Sequence, residues 1–496
     1  MSTKINRRQF IQTSAAAAAG VGLSRFALGA EAEARQAVAK LAAKADAIIH
    51  IWLPGGVAQT DTWDPKKYTP YRAGMKGSEL LGTCEPIPTS ADGIFLGKGL
   101  EHMASVMNQG TILRSLTNET KFGAIHLKAQ YYMMTGYLFP SGVKTPSIGA
   151  VVSRTLGRRD PNVPPYIYIG RDIDTSDEEK MFISEYLGPG FYGVNHAPFM
   201  IPDPAKGLAT LNAVSGMKMD RLDRRQDYLR AITGLSEKEM QNAGKASDYM
   251  KVMADARAMM DSPVKQAFNY HTEEKPEVLK AYEPEIGESE VMDKGYYHGQ
   301  RFGQGLLLAR RLVEAGARYI QVEYQYGPFK GFDMHEKGQP RMAEMKRQVD
   351  RPIAQLIREL DERGLLERTL VMVSTEFGRT IASAPAAGTE PDGFAERNTG
   401  EKLIIENEKM YGFHGHFSSC NAMLFFGGGF KKGFAFGKTA DEHPMVAVEN
   451  PVPLIDVHAT IYQALGIPAD TNYVTEGRPF YVTNNGKGKA IAGMMG

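Results

Sequence analysis

The sequence of 496 residues predicts an α/β fold, a doubly wound and mostly parallel sheet with a helical insertion. Several short apolar runs, the clearest at residues 47–53, lack the alternation of half-exposed strands and are typical of buried parallel strands. Segments with helical periodicity separate these runs, as in successive βαβ units. Polar residues follow several of the runs, and open α/β sheets carry their functional groups at that edge.

The predicted elements have recognisable ends. Pro-Gly-Gly at residues 54–56 stops the first apolar run, and Gly136, Gly316 and Gly364 follow helical segments, as glycine commonly does at helix C-termini. Strands are predicted at residues 47–53, 111–115, 166–169, 319–324, 369–374 and 421–426. Helices are predicted at residues 123–134, 147–156, 302–315, 342–363 and 456–465.

The chain is predicted to have three parts. Residues 1–34 form a signal peptide, residues 35–480 a single α/β hydrolase-like domain, and residues 481–496 a C-terminal tail. A helical insertion is expected at about residues 203–296, because charged residues, Ala and Met dominate there. Within it, residues 221–232 and 249–260 have helical periodicity.

The N-terminus has the pattern of a twin-arginine export signal. Arg7 and Arg8 precede a weakly apolar, Ala/Gly-rich stretch that is too short to span a membrane. We therefore expect a periplasmic or extracellular protein that interacts with the twin-arginine export machinery. This route carries folded proteins, which suits a metal or cofactor loaded before export.

Composition excludes several classes of protein. With a formal charge of +1 the chain has no basic field for nucleic acid, and no apolar segment reaches the roughly 18 residues of a transmembrane helix. Two cysteines exclude a disulfide scaffold and a cysteine-based zinc site. Cys84 and Cys420 either form one bridge in the oxidising compartment or remain free.

Several loops next to predicted strands carry carboxylates or histidines. Such residues without thiolates suit zinc, manganese, magnesium or calcium, so the pattern predicts a divalent metal site assembled from separate loops. Any one of these residues alone is more commonly structural, and the hypothesis depends on their joint occurrence. The candidate ligands are Asp61, Asp333, His335, Glu376, His414 and His416.

The sequence resembles the domain-of-unknown-function 1501 family over nearly all of the chain after the signal. The similarity rests on Leu-Pro-Gly-Gly at residues 53–56, Asp-Thr-Trp-Asp at 61–64, Phe-Asp-Met-His at 332–335 and Thr-Glu-Phe-Gly-Arg at 375–379, together with Gly-Gly-Gly at 427–429. Proteins of this family are usually grouped with the alkaline phosphatase and sulfatase superfamily. The resemblance implies that fold, with a metal site at the strand ends.

The resemblance also implies roles for individual residues. Asp61 occupies the place of the first-strand ligand, and Asp333 with His335 resembles an Asp/His ligand pair at a shorter spacing than usual. Glu376 stands where an Asp-His pair is common, with Phe377 in place of that histidine. Either His416 or His414 resembles the late histidine ligand.

The position of the superfamily nucleophile is occupied by an unexpected residue. Sulfatases present a nucleophile at the start of a helix that ends in Leu-Thr-Gly; here a helix ends in Met-Thr-Gly at residues 134–136, and counting back reaches His126. His126 is therefore either a metal ligand or an unusual nucleophile. Arg379 or Arg114 is a candidate for binding the oxyanion, unless each is simply paired with a carboxylate.

These observations predict an exported, metal-dependent hydrolase. The expected substrate is a phosphate or sulfate ester of a small molecule or polysaccharide. The alternative from another class is a non-catalytic exported protein that binds polysaccharide or an envelope partner on the same fold.

Overall fold

The structure of the protein is a computed structural model. It describes residues 41–118, 125–139, 142–170, 185–206, 220–221, 224, 227–228, 231, 245–260, 262–286, 299–324, 332–335, 338–381, 403–408, 410–412, 415–475 and 477–496. The predicted signal peptide, His414 and most of residues 221–232 lie outside the described residues.

A nine-stranded sheet forms the centre of the described fold. In sheet order the strands are β8-β2-β7-β6-β1-β5-β3-β4, and β9 also pairs with β2. The strands are β1 (Ala47–Trp52), β2 (Gly110–Thr117), β3 (Tyr166–Ile169), β4 (Phe199–Ile201), β5 (Tyr319–Glu323), β6 (Thr369–Ser374), β7 (Asn421–Phe426), β8 (Phe434–Phe436) and β9 (Val452–Pro453). All six predicted strands are therefore confirmed.

Strand β1 lies in the middle of the sheet, between β5 and β6, and runs parallel to both. Only β7 runs against the other strands of this sheet, because it is antiparallel to both of its neighbours, β2 and β6. The start of β7 therefore lies at the same edge as the carboxyl ends of the other strands. The predicted mostly parallel sheet is confirmed, with this one reversal.

Helices cover both faces of the sheet, as expected for a doubly wound fold. Ile49 and Ile51 of β1 belong to one apolar core, while Ile48 and Trp52 belong to the core on the opposite face. The longer helices are α1 (His126–Thr135), α2 (Ile148–Leu156), α3 (Lys245–Met260), α4 (Gly299–Glu314), α5 (Gly338–Glu362) and α6 (Leu454–Ala464). The first core contains side chains of α4 and α5, and the second contains side chains of α1, α2 and α6.

Smaller elements complete the described fold. Short helices span Glu101–Ala104, Tyr270–Glu273 and Pro276–Ala281. Two-stranded ladders join Met75–Lys76 to Ile404–Ile405, Pro86–Pro88 to Phe95–Gly97, Gly378–Arg379 to His416–Phe417, Lys438–Thr439 to Ala447–Glu449, and Asn472–Thr475 to Arg478–Tyr481.

The local end signals act as the sequence predicts. Ser147 caps α2, because its hydroxyl accepts a hydrogen bond from the backbone N–H of Ala150. Gly136 ends α1 with a φ of 72°, which favours glycine. The segment predicted as a C-terminal tail packs on the second core, where Val482 and Met494 are buried. Among the described residues, no helix combines the length and apolar character that a membrane span requires.

Candidate metal centre

Five segments at one edge of the sheet assemble a cluster of polar groups. The loops after β1, β5 and β6 contribute Gly55, Asp333 and Glu376, since the ends of parallel strands meet at one edge. His126 follows β2 as the first residue of α1. His416 comes from the segment before β7, which reaches this edge because β7 is reversed.

One carboxylate oxygen, Oδ1 of Asp333, is the centre of the cluster. The Nε2 atoms of three histidines lie close to it: His335 at 3.0 Å, His416 at 3.2 Å and His126 at 3.3 Å. The guanidinium of Arg379 also donates a hydrogen bond to this oxygen. Four basic side chains therefore converge on one atom.

The cluster is buried on one side and open on the other. The side chains of Asp333 and His126 are 3% and 7% exposed, and that of His416 is 18% exposed. His335 is 46% exposed and faces solvent. The centre therefore has a buried interior and one accessible histidine.

Glycines after β1 allow this close assembly. Gly55 has a φ of 114°, and a Cβ atom there would lie 2.5 Å from the backbone nitrogen of Asp333. At Gly56 a Cβ atom would lie 2.6 Å from the ring of Phe377. Pro-Gly-Gly therefore does more than end a strand, because it lets the loop of Asp333 pack directly on the β1 loop.

Glu376 is completely buried behind His126. Its Oε1 accepts hydrogen bonds from His126 Nδ1 at 2.7 Å and from the backbone nitrogen of Gly55 at 2.8 Å. Gln130 Nε2 approaches the same oxygen at 3.4 Å, and the Thr375 hydroxyl donates to Oε2 at 3.0 Å. The ring of His126 thus lies between two carboxylates, Glu376 at Nδ1 and Asp333 at Nε2.

Arg379 holds the loops of the centre together. Its guanidinium donates to the backbone oxygens of Gly55, Gly56 and Met334, in addition to Asp333. The side chain is fully buried, and these four hydrogen bonds all have protein oxygens as acceptors. Arg379 therefore links these loops to one another, and its positive charge balances the carboxylate of Asp333.

The cluster perturbs the pKa values of its members. Burial lowers the pKa of His126, but hydrogen bonds to Asp333 and Glu376 outweigh burial and raise it to about 8. Burial, together with the charges of Arg379 and His126, lowers the pKa of His416 to about 4. Burial opposes ionisation of Asp333, yet hydrogen bonds from the three histidines hold its pKa far below the ordinary range. The raised pKa favours the protonated imidazole of His126 when no metal is bound.

The donor set fits a divalent metal. The ligand atoms of His126, Asp333 and His416 all lie within 4.8 Å of one another. A tetrahedral site with bonds of 2.0–2.1 Å places neighbouring ligand atoms about 3.3 Å apart. The separations of 3.0–3.3 Å between the imidazole nitrogens and Asp333 are of this size.

Other predicted site residues lie in different environments. The Oδ1 of Asp61 accepts a hydrogen bond from the Thr83 hydroxyl at 2.5 Å, and Asp61 is not in the group of converging ligand atoms. Arg114 lies 3.7 Å from the carboxylate of Asp64, in the arrangement of a structural ion pair. Both thiols, Cys84 and Cys420, are free, and burial raises the pKa of each to about 12.

The sequence analysis did not identify three supporting residues. Gln130 reaches Glu376 from α1, and the Asn118 side chain donates to the backbone oxygen of Glu376 at 3.0 Å. Thr375 bonds Glu376 and also accepts from the backbone nitrogens of Gly56 and Val57. Only Gln130 had a usable signal, since it lies four residues after His126 on the same helix face.

The export signal, the sheet and this strand-edge cluster define an exported α/β protein. A twin-arginine translocation pathway signal sequence matches residues 4–24, which makes the protein periplasmic or extracellular. The chain belongs to the family described as "Protein of unknown function (DUF1501)", which matches residues 45–495. The resemblance seen in the motifs is thereby confirmed. No curated protein sequence shows significant similarity to the chain.

The solved structures that the chain matches are distant from it in sequence. An alkaline phosphatase PafA variant is 8% identical, with a TM-score of 0.40, covering 92% of this chain and 100% of that one. The PsFucS1 sulfatase from Pseudoalteromonas sp. is 11% identical, with a TM-score of 0.34 and coverages of 92% and 77%. A protein in the alkaline phosphatase superfamily from Vibrio parahaemolyticus is 8% identical, with a TM-score of 0.36 and coverages of 89% and 69%.

Proposed function

We propose that this exported protein is a metal-dependent hydrolase of phosphate or sulfate esters, with the metal held by His126, Asp333 and His416. The observation that carries the proposal is the convergence of imidazole nitrogens on Asp333 Oδ1, at the spacing of a coordination site. Imidazole-rich donor sets suit zinc or another first-row transition metal better than calcium or magnesium, which prefer oxygen ligands.

The charge of the centre suits an anionic ester. With neutral imidazoles, the carboxylates of Asp333 and Glu376 and the guanidinium of Arg379 leave one net negative charge. A bound divalent ion reverses this to one net positive charge, which attracts a phosphate or sulfate group. When bound, such an ion supplies Lewis acidity, polarising the ester oxygen and lowering the pKa of water to about 7.

The protein side chains divide the remaining work. Arg379 keeps Asp333 ionised and fixed between the loops, so the ligand geometry needs little rearrangement. His335 is the exposed histidine of the cluster, so we assign to its Nε2 the donation of a proton to the departing alcohol oxygen. Thr375 is engaged with Glu376 and two backbone nitrogens, which favours water over a protein hydroxyl as the attacking group.

The second candidate is a binding protein that retains the centre without turnover. One observation favours it: His126 stands where the superfamily nucleophile is expected, and its Nδ1 is bound to Glu376. On this alternative the metal binds an anionic group of a polysaccharide or envelope partner without cleaving it.

Elemental analysis and ester assays distinguish these candidates. Protein exported and purified without chelators should contain close to one metal ion per chain, and Asp333→Asn should remove it. Glu359→Gln is the matched control, because Glu359 is another buried carboxylate, bonded to Tyr282 at 3.0 Å and outside the cluster. Hydrolysis of p-nitrophenyl phosphate or p-nitrophenyl sulfate, lost in Asp333→Asn and retained in Glu359→Gln, supports the hydrolase. Bound metal without turnover favours the binding protein, and purified protein that contains no metal and gains no stability from added metal overturns both.

A further inference from the structure

We propose that Glu376 is a positioning residue, which orients His126 so that its Nε2 faces the metal, and that it is not itself a ligand. This inference rests on the proposed metal centre. The sequence places Glu376 among the candidate ligands, and the geometry gives it a different part.

The two nitrogens of the His126 ring have separate partners. Nδ1 lies 2.7 Å from Glu376 Oε1, whereas Nε2 lies 3.3 Å from Asp333 Oδ1. A carboxylate bound at Nδ1 retains the proton there, which leaves the lone pair of a neutral imidazole on Nε2. Histidine ligands of metals commonly have such an outer partner, which fixes the ring and raises its basicity.

Glu376 is held in place for this purpose. Its Oε1 accepts from Gly55 N as well as from His126, and its Oε2 accepts from the Thr375 hydroxyl. The carboxylate is completely buried, and its backbone oxygen is bonded by Asn118. The lone pairs of Glu376 are therefore directed to protein donors, whereas Oδ1 of Asp333 faces the converging imidazoles.

The rest of the pocket restrains the ring less specifically. The ring of Phe377 packs against His126 with centroids 4.9 Å apart, and the His416 ring lies 4.5 Å away. These contacts hold the plane of the ring, but aromatic packing does not distinguish Nδ1 from Nε2. The hydrogen bond to Glu376 makes that distinction.

The test is a double-mutant cycle on the affinity for zinc, measured by chelator competition on the full exported chain. Glu376→Gln should weaken zinc binding about 10- to 100-fold, the usual cost of losing an outer carboxylate. In a His126→Ala background the same change should have little further effect, because the residue acts through His126. Circular dichroism and thermal unfolding verify that each variant is folded.

A second readout follows the ring directly. In the zinc-loaded protein, a downfield imidazole N–H resonance assigned to His126 Nδ1 should be present and should disappear in Glu376→Ala. Glu359→Gln, the control at a buried carboxylate outside the centre, should change neither the resonance nor the affinity.

The outcomes separate the two proposals. Additive losses in the cycle would show that Glu376 binds metal independently of His126, which overturns the positioning role and leaves the metal centre standing. An unchanged affinity in Glu376→Gln also overturns it. Wild-type protein that binds none of zinc, manganese, magnesium or calcium overturns the metal centre and this inference together. If Glu376→Ala does not fold, the cycle with Glu376→Gln still decides.

Discussion

The Asp333 centre and the ion network around Arg310 are both buried clusters of charge, but their geometries are opposite. Arg310 meets three carboxylates through three different nitrogens: Glu274 at Nη2 (2.6 Å), Glu314 at Nη1 (2.9 Å) and Glu359 at Nε (3.1 Å). Its partners are therefore distributed around the planar guanidinium, each with a separate donor.

At Asp333, three imidazoles and a guanidinium instead approach a single oxygen. Distributed pairs satisfy one another and need no further ion. Convergent donors compete for a single oxygen, and a cation bound among them would use the nitrogen lone pairs once the imidazoles have lost their protons. The difference shows how a structural charge cluster and a candidate metal site can be distinguished by geometry, although both are buried.

The largest expected effect comes from breaking the distributed network. Arg310→Ala leaves the buried carboxylate of Glu359 without a cation, whereas Glu274 keeps Arg311 and Glu314 keeps Arg363. The free energy of unfolding should therefore fall by about 3–5 kcal/mol in urea denaturation. Zinc content should stay unchanged, since Arg310 contacts no residue of the centre in the described contacts.

The matched control is Arg363→Ala. Arg363 pairs with Glu314 at 2.9 Å, but its side chain is 40% exposed, so the expected loss is about 0.2–1 kcal/mol. Equal losses in the two variants would contradict the structural role assigned to the buried network.

Metal removal tests the convergent cluster by the same measurement, the free energy of unfolding. Zinc at 100 times its Kd should raise the free energy of unfolding by about 2.7 kcal/mol, and EDTA should reverse the gain. Asp333→Asn should abolish this gain, whereas Arg310→Ala should retain it on a less stable background. A gain that survives Asp333→Asn would place the zinc elsewhere.

A buried histidine outside both clusters should make the free energy of unfolding depend on pH. His458 is buried and donates to the backbone oxygen of Met133 at 2.9 Å, and burial lowers its pKa from 6.5 to about 4. Because the unfolded chain binds this proton first, its contribution to stability is complete above pH 6.5 and is lost as pH falls toward 4. The slope should be about 1.4 kcal/mol per pH unit within that range.

His458→Gln isolates this contribution. The glutamine retains a donor for Met133 and does not titrate, so the variant should lose less stability than the wild type between pH 6 and pH 4.5. Urea midpoints of both proteins across this range provide the measurement, and parallel pH profiles would refute the assignment.

The smallest stability effect is expected at the exposed edge of the centre. His335→Ala should change the free energy of unfolding of the metal-free protein by less than about 0.5 kcal/mol, because surface substitutions are usually mild. Ester hydrolysis should fall much more than zinc content, in keeping with a proton-transfer role. Loss of zinc to the extent seen in Asp333→Asn would make His335 an essential ligand instead.

Much of the fold could be predicted because buried strands have an unambiguous pattern. Residues 369–374 and 421–426 were predicted with the bounds that the structure has, since each is built around a continuous apolar run. The reversal of β7 had no such signal, because burial on both faces produces the same run in either direction. The predicted division of the chain into domain, insertion and tail stays a prediction.

Only part of the candidate site could be predicted from the sequence in this way. Asp333 and Glu376 both follow parallel strands of one sheet, so their proximity could be expected. His416 precedes β7 and reaches this edge only because β7 is reversed, which the sequence did not predict. Asp61 has the same relation to β1, but its carboxylate turns to Thr83 within a 3₁₀ turn, Gln59–Asp61. Which way a side chain turns in a loop depends on contacts distant in sequence, which no local pattern contains.

The short ladder between Gly378–Arg379 and His416–Phe417 has a mechanical consequence. Arg379 and His416 are direct partners in its antiparallel register, so their spacing is set by paired backbones. A displacement of the segment after β6 must therefore carry His416 with it. His126 is fastened to the same segment, because its Nδ1 is bonded to Glu376, three residues before Arg379. A displacement of residues 376–379 would therefore move both histidines together around Asp333.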